Sequence, residues 1–297
     1  MRTVLSFGET LWDLLPAGAV LGGAPCNLAY RVNALGERGL IVTRLGRDAR
    51  GREAYERLRG LGMDLSLVQW DDRKPTGTVP VILDAKGIPD FTIVEDVAYD
   101  GIDATPELLA EAGKADCVCF GTLIQRTEHA RATLRRILEA APRALKVCDL
   151  NLRKRCHTRD SVENSLRAAD LLKLNDAEVL ELSSLFGLKA ASPGEAARRV
   201  RSRWDLDACV VTLGEKGAYA VTAKDEATVG GWKVEVADTI GSGDAFTAAF
   251  VTGWLRGRSL EDCLFVGNAL GAMVARTPGA TAPIAADEIK RFCGRSI

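Results

Sequence analysis

Histidine is almost missing from this chain: His129 and His157 are the only two in 297 residues. The eight cysteines, Cys26, Cys117, Cys119, Cys148, Cys156, Cys209, Cys263 and Cys293, contain no Cys-x-x-Cys pair. A structural zinc site needs Cys and His clustered at close spacing, so none is expected. Several cysteines lie inside apolar runs such as Val118-Cys119-Phe120 and Cys209-Val210. They read as buried free thiols in a reducing compartment. Charge of one sign is lacking too. The formal net charge is −1, which offers no field for nucleic acid or an anionic membrane. Basic clusters at 47–52 and 198–203 are interrupted and read as solvated helix faces. No stretch approaches about 18 uninterrupted apolar residues, so no membrane-spanning helix is predicted. The first nine residues turn polar too soon for a signal peptide. A cytoplasmic protein is expected, with neither nucleic acid nor membrane as partner. There is no internal repeat, low-complexity tract or long Pro/Ser linker.

What remains is an ordinary globular composition, 47% hydrophobic and 27% charged, long enough for one large domain with a small appendage. Strand-like and helix-like segments alternate. The patterning predicts strands over 3–7, 40–45, 117–121, 145–150, 171–174 and 208–213. It predicts helices over 27–35, 52–61, 128–141, 161–168, 244–255 and 260–275. Repeated βα units imply a parallel sheet covered on both faces. One region breaks the rhythm. Segments 78–83 and 90–94 flank Asp84-Ala85-Lys86-Gly87, which predicts a β-hairpin. It could serve as a lid over the strand ends or be a plain surface hairpin.

The segment richest in chemistry is Asp238-Thr239-Ile240-Gly241-Ser242-Gly243-Asp244-Ala245-Phe246. Glycines let the backbone turn tightly before a long helix. The first helical N–H groups are unpaired and the helix dipole adds partial positive charge, which makes an anion hole of Gly241, Ser242 and Gly243. Asp244 at its mouth is placed to take a proton from an attacking hydroxyl. An anion hole with an adjacent base is what phosphoryl transfer to an alcohol requires. The same residues also fit a loop closed by an aspartate helix cap. They are not a Walker A loop, since no Gly-Lys-Ser/Thr follows. No early G-x-G-x-x-G points to a dinucleotide.

These nine residues resemble the second signature of the ribokinase-like (PfkB-type) carbohydrate kinases. Other segments agree in order. Gly8-Glu9-Thr10-Leu11-Trp12-Asp13 is similar to the family's opening strand. Gly22-Gly23-Ala24-Pro25-Cys26-Asn27-Leu28-Ala29 resembles its glycine pair and asparagine. Gly46-Arg47-Asp48-Ala49-Arg50-Gly51 resembles the G-x-D-x-x-G of the first signature. Asp149-Leu150-Asn151-Leu152-Arg153 resembles D-x-N-x-R, and Asn175-Asp176-Ala177-Glu178 resembles N-x-x-E. Thr212-Leu213-Gly214-Glu215-Lys216-Gly217 resembles the nucleotide-binding T-x-G-x-x-G. Seven ordered matches over about 240 residues are far more specific than any one alone.

The resemblance implies a ribokinase-like three-layer α/β/α fold with a mostly parallel central sheet. It implies one kinase domain over 1–297, with a small β lid from about 10–20 and 75–95. It implies ATP and magnesium, and a phosphotransferase acting on a small-molecule sugar. Asp244 would be the catalytic base, with Gly241, Ser242 and Gly243 as the anion hole. Asp13, Gly22, Gly23, Asn27 and Arg153 would bind substrate. Asn175, Thr212, Gly214, Gly217 and Asn268 would bind nucleotide. Glu178 would hold magnesium through water, and oxygens of Asp238 and Ile240 with the Thr277–Gly279 turn would hold potassium. Paired lids would give a homodimer.

Bland readings stand beside these. Asp13 could be a loop aspartate, Gly22, Gly23 and Asn27 a turn with a helix cap, and Asn175 with Glu178 a capped helix start. Arg153 could pair with an acidic neighbour, and Asp48 organises its own loop. For the acceptor, Gly22-Gly23-Ala24-Pro25 resembles the fructokinase version, so fructose converted to fructose 6-phosphate is expected. Cys26 in place of alanine and Thr277-Pro278-Gly279 are departures that leave room for another sugar. Ribokinase, ketodeoxygluconate kinase and adenosine kinase are the alternatives on the same fold. A non-catalytic sugar- or nucleotide-binding regulator is the alternative of another class.

Overall fold

The computed structural model describes residues 1–295 except 17, 84–88 and 154. Its strands are β1 (Thr3–Phe7), β2 (Leu11–Leu15), β3 (Gly18–Gly22), β4 (Arg38–Gly46), β5 (Val68–Asp71), β6 (Gly77–Leu83), β7 (Pro89–Phe91), β8 (Cys117–Phe120), β9 (Leu145–Asp149), β10 (Leu171–Asn175), β11 (Ala208–Thr212), β12 (Ala218–Thr222) and β13 (Glu226–Val229). The helices are α1 (Ala24–Ala34), α2 (Ala49–Gly60), α3 (Pro106–Ala112), α4 (Glu128–Ala140), α5 (Arg159–Ala168), α6 (Asp176–Leu185), α7 (Pro193–Arg203), α8 (Ser242–Leu255), α9 (Leu260–Ala275) and α10 (Ala286–Cys293).

A nine-stranded sheet runs in the order β13-β12-β11-β10-β9-β8-β1-β4-β5. From β5 to β11 every pairing is parallel, and only β12 and β13 are antiparallel. Parallel strands need cover on both faces, and the side-chain alternation supplies it. On β11, Cys209 and Val211 enter one apolar cluster and Ala208 and Val210 the other. The first cluster takes in Leu134 of α4, Leu166 of α5, Leu182 of α6 and Val200 of α7. The second takes in Val32 of α1, Phe250 of α8, Leu264 of α9 and Ile289 of α10. The result is the expected three-layer α/β/α arrangement with a mostly parallel centre. The strand order reverses between β1 and β8, which are neighbours though far apart in sequence. Open α/β sheets bind ligands at such a switch point, outside the carboxyl ends of the strands.

A separate four-stranded sheet has the order β3-β2-β6-β7. Its β6–β7 pairing is antiparallel, and Thr92 N to Pro80 O and Val94 N to Thr78 O extend the ladder past β7. The expected hairpin is therefore present, while its turn at 84–87 lies outside the described residues. Four helix starts differ from the periodicity. α5 starts at Arg159 because the Thr158 side chain accepts from Ser161 N at 3.1 Å. α1 starts at Ala24 because Gly23 turns the chain at φ 113 and Pro25 fills the first turn, where a missing N–H is harmless. α2 starts at Ala49 because the Asp48 side chain accepts from Gly51 N at 2.7 Å. α8 starts at Ser242, so Ser242 and Gly243 belong to its first turn rather than to the loop before it. Among the described residues no helix is long and apolar enough to cross a membrane.

Candidate active site

The carboxyl ends of β1, β9 and β10 meet the amino ends of α1, α6 and α8, and the expected residues divide between two places. The first centres on Asp244. Gly241 is the N-cap of α8 in the left-handed region, φ 77, and offers no side-chain cap. Ser242 N turns back to Thr239 O at 3.2 Å, and the N–H groups that follow it, from Gly243, have no side-chain cap. A side chain at 241 would collide with Ala280, so only glycine fits. Asp244 lies in the first turn of α8. Asn27 of α1 donates from Nδ2 to Asp244 Oδ2 at 2.8 Å. Burial pushes the Asp244 carboxyl from its ordinary 3.8 up to about 6, and the Asp149 charge adds to the rise. The Asn27 hydrogen bond, Lys173 and Arg153 oppose it.

A second carboxylate sits close by. Asp149, at the end of β9, accepts from Lys173 Nζ at 3.0 Å and from Thr247 Oγ1 of α8 at 2.8 Å. Lys173 is buried on β10, and its Nζ lies 3.3 Å from where a Cβ on Gly243 would stand. Burial alone would pull the Lys173 ammonium down. Asp149 and Glu178 outweigh burial and hold it above its ordinary value. A positive charge therefore lies beneath the first turn of α8, beside its free amides.

Glu178 and Asn175 form a reciprocal cap on α6. Asn175 Oδ1 accepts from Glu178 N, and Glu178 Oε2 accepts from Asn175 N, each at 2.8 Å. Glu178 Oε1 accepts from Leu152 N at 2.8 Å. Both oxygens are engaged, so a metal ion meeting this carboxylate would do so through water or by sharing a lone pair. The capped-helix reading is what these hydrogen bonds show. Burial raises the Glu178 carboxyl and Lys173 opposes that.

Asp13 is on β2, half-buried, with its Oδ2 2.9 Å from where a Cβ on Gly22 would stand. Its carboxyl is raised by burial, lowered by Arg153 and raised by Asp238, so all three charges share one region. Arg153 itself is exposed. Gly23 packs on the backbone of Glu9 so tightly that a side chain there would overlap the Glu9 carbonyl. Asp238 Oδ1 accepts from Ile240 N at 3.0 Å and Oδ2 from Gly279 N at 3.1 Å. This ties the two segments expected to hold a monovalent cation.

The second place lies at the β11–β13 end of the sheet. Thr212 ends β11 and its hydroxyl donates to Leu174 O at 3.4 Å. Gly214 and Gly217 have φ 58 and φ 105. A side chain on Gly217 would strike the Val229 carbonyl. Asn268 of α9 donates to Val229 O at 3.2 Å and Gly230 O at 3.4 Å. Gly217 and Asn268 thus converge on the end of β13.

Asn27 Oδ1 and Ser242 Oγ are buried and have no partner. Buried polar atoms are normally satisfied, so these two suit a polar ligand seated at Asp244. Three residues escaped the sequence reading. Asp149 is marked in the sequence only as the first residue of a motif, and Lys173 by no motif, although a lysine inside Leu171-Leu172-Lys173-Leu174 is a charge where an apolar strand should have none. Glu9 is buried, with its carboxyl pushed up to about 7 by burial against the opposing effect of Arg153. No sequence signal singled it out.

Comparison with known proteins adds the following. The model of the family described as "pfkB family carbohydrate kinase" matches residues 17–287. A fructokinase-1 of Oryza sativa subsp. japonica is 31% identical over 304 residues, covering 93% of each chain. The crystal structure of a fructokinase with bound ATP from Xylella fastidiosa superimposes with a TM-score of 0.87 at 20% identity, over 98% of this chain and 97% of that one. A fructokinase double mutant from Vibrio cholerae O395, in its form with fructose, ADP and potassium ion bound, gives 0.83 at 22% identity, over 99% and 98%.

Proposed function

The chain belongs to the pfkB family of carbohydrate kinases, and on that premise we propose that it transfers the γ-phosphate of ATP to the primary hydroxyl of a sugar, fructose first among them. The observation that carries this reading is Asp244: a half-buried carboxylate hydrogen-bonded by Asn27, in the first turn of a helix whose amino end has no side-chain cap. A carboxyl held at about 6 is ionised at neutral pH yet basic enough to accept a proton.

In this account the protein is one kinase domain whose second sheet is its lid. The sugar lies among Asp13, Gly22, Gly23, Asn27 and Arg153. A carboxylate such as Asp13 accepts from two hydroxyls at once. Lid closure excludes water and so limits hydrolysis of ATP. Asp244 takes the hydroxyl proton as the sugar oxygen bonds to the γ-phosphorus. The bond from that phosphorus to its bridging oxygen breaks, ADP leaves, and the proton later passes to solvent. The amides of Gly241, Ser242 and Gly243, with Lys173 beneath them, counter the charge of the transferring group. Asn175, Thr212, Gly214, Gly217 and Asn268 hold the nucleotide.

Among the described residues no group of three or more His, Cys, Asp or Glu side chains could hold a metal ion. A magnesium ion at Glu178 would therefore keep waters and phosphate oxygens as most of its ligands, which is its habit. Its chemistry there would be neutralisation of phosphate charge. Oxygens at Asp238 and Ile240 would hold potassium behind the anion hole.

Support for fructose is the fructokinase relatives and the Gly22-Gly23-Ala24-Pro25 segment. The test is ADP release with magnesium, ATP and potassium against fructose, ribose, ketodeoxygluconate and adenosine. Turnover concentrated on fructose is expected. Turnover concentrated on another acceptor would overturn the substrate and keep the transfer chemistry. Binding without turnover across the panel would favour a sugar- or nucleotide-binding regulator.

A further inference from the structure

Arg31 is 1% exposed, yet among the described residues no carboxylate lies within ion-pair distance of its guanidinium. Buried charges are normally paired. This one instead donates from Nη1 to Ala282 O at 2.9 Å and from Nη2 to Ala280 O at 2.5 Å. Its Nε is buried without an acceptor, and the ring of Tyr30 lies 5.2 Å away. Arg31 stands four residues after Asn27, so both share one face of α1. From that face Asn27 holds Asp244. Ala280 in turn packs directly on Gly241, and Gly279 N donates to Asp238.

We propose that Arg31 is a positioning residue for the transfer step: its guanidinium clamps the 279–282 turn against the glycine turn of α8 and keeps an unneutralised positive charge behind Asp244. The fork geometry of guanidinium matches two carbonyls that a point charge would not hold equally well. A turn so fixed keeps the Gly241–Gly243 amides aimed before substrate arrives, and donors fixed in advance cost no reorganisation during reaction. The charge acts on Asp244 along with the others that face it. Those are Asp149 of β9, Lys173 of β10, Arg153, Glu9 after β1, and Cys26 on α1. Asp244 is the carboxylate that Arg31 feels. Removing the cation leaves Asp244 easier to protonate, by less than removing Lys173 would, so the acid limb of kcat/KM moves slightly to higher pH.

The inference rests on Asp244 as the base, and the test separates the two. Arg31→Met, Arg31→Lys and Asp244→Asn are compared with the wild type. Arg31→Met should lower kcat by about tenfold or more with a much smaller change in sugar KM, and move the acid limb upward. Arg31→Lys should lower kcat for want of the fork but leave the acid limb in place, because the charge remains. A folded Arg31→Met with wild-type kcat and acid limb overturns the proposal. Normal turnover in Asp244→Asn strikes the base instead. Hydrogen exchange on the free protein needs no substrate: the hydrogen-bonded amides of Ile240, Ser242 and Gly279 should exchange together at least about tenfold faster in Arg31→Lys. Unchanged exchange overturns the clamp even where Arg31→Met fails to fold.

Discussion

Asp244→Asn should stabilise this protein while disabling it. The ordinary aspartate value of 3.8 rises to about 6 in the fold. Between those values the native state holds a proton that the unfolded chain has released, so stability falls as pH rises through this window. Above about pH 6 the whole penalty is present. A rise of about two units at 1.36 kcal/mol each is on the order of 3 kcal/mol. Asparagine keeps the size of the side chain and removes the desolvated charge, so at pH 8 the variant should resist unfolding by that order. The advantage should shrink as pH falls and vanish below about 4, where both forms are neutral. Turnover should fall by roughly 10²-fold or more, because the proton acceptor is gone. Urea unfolding at pH 4, 6 and 8, with ADP release in parallel, reads both effects. A variant equally stable at all three, or one with near-normal turnover, would refute the reasoning.

Other perturbations follow from the same geometry. The acid limb of wild-type kcat/KM should reflect Asp244 and lie near pH 6, with activity rising as pH rises through it; a flat profile down to pH 4 would contradict the raised carboxyl. Lys173→Met leaves Asp149 buried without its ion-pair partner, which should cost about 3–5 kcal/mol of stability. It should also shift the acid limb upward, as a pH series on the refolded variant would show. Gly241→Ala places a methyl in a left-handed position against Ala280. The backbone strain alone is about 1–3 kcal/mol, and kcat should fall with it. A variant with wild-type kcat and unfolding midpoint would mean that the turn adapts.

How much of this was legible in the sequence depended on distance along the chain. The stretch from Asp238 to Phe246 could be read because glycines, hydroxyl and carboxylate are adjacent, and the chemistry of a helix mouth is local. Asn175 and Glu178 could be read for the same reason, as residues one helical turn apart. The Asn27–Asp244 bond joins residues separated by 217 positions, and no local pattern carries it. Lys173 was hidden because an apolar strand reads as core, and only the fold shows that its ammonium reaches Asp149. Arg31 looked like one more polar residue of a helix until α1 was packed against the 279–282 turn. Helix starts moved by a few residues where caps decided them: Gly23 with Pro25, Asp48, Thr158, and Gly241. Hydrophobic spacing does not see caps. The β12–β13 hairpin carries no alternation that marks it: β12 is buried at four of its five positions and β13 is only four residues long.

The central claim is transfer of phosphate to a sugar by this chain's own base. It is tested most directly by incubating the protein with ATP labelled at the γ-phosphate, magnesium, potassium and fructose, then separating the sugar products. The account predicts label on the primary hydroxyl of the sugar with wild-type protein, and its near disappearance with Asp244→Asn. Label released only as inorganic phosphate, or label on the sugar to the same extent with Asp244→Asn, would contradict it.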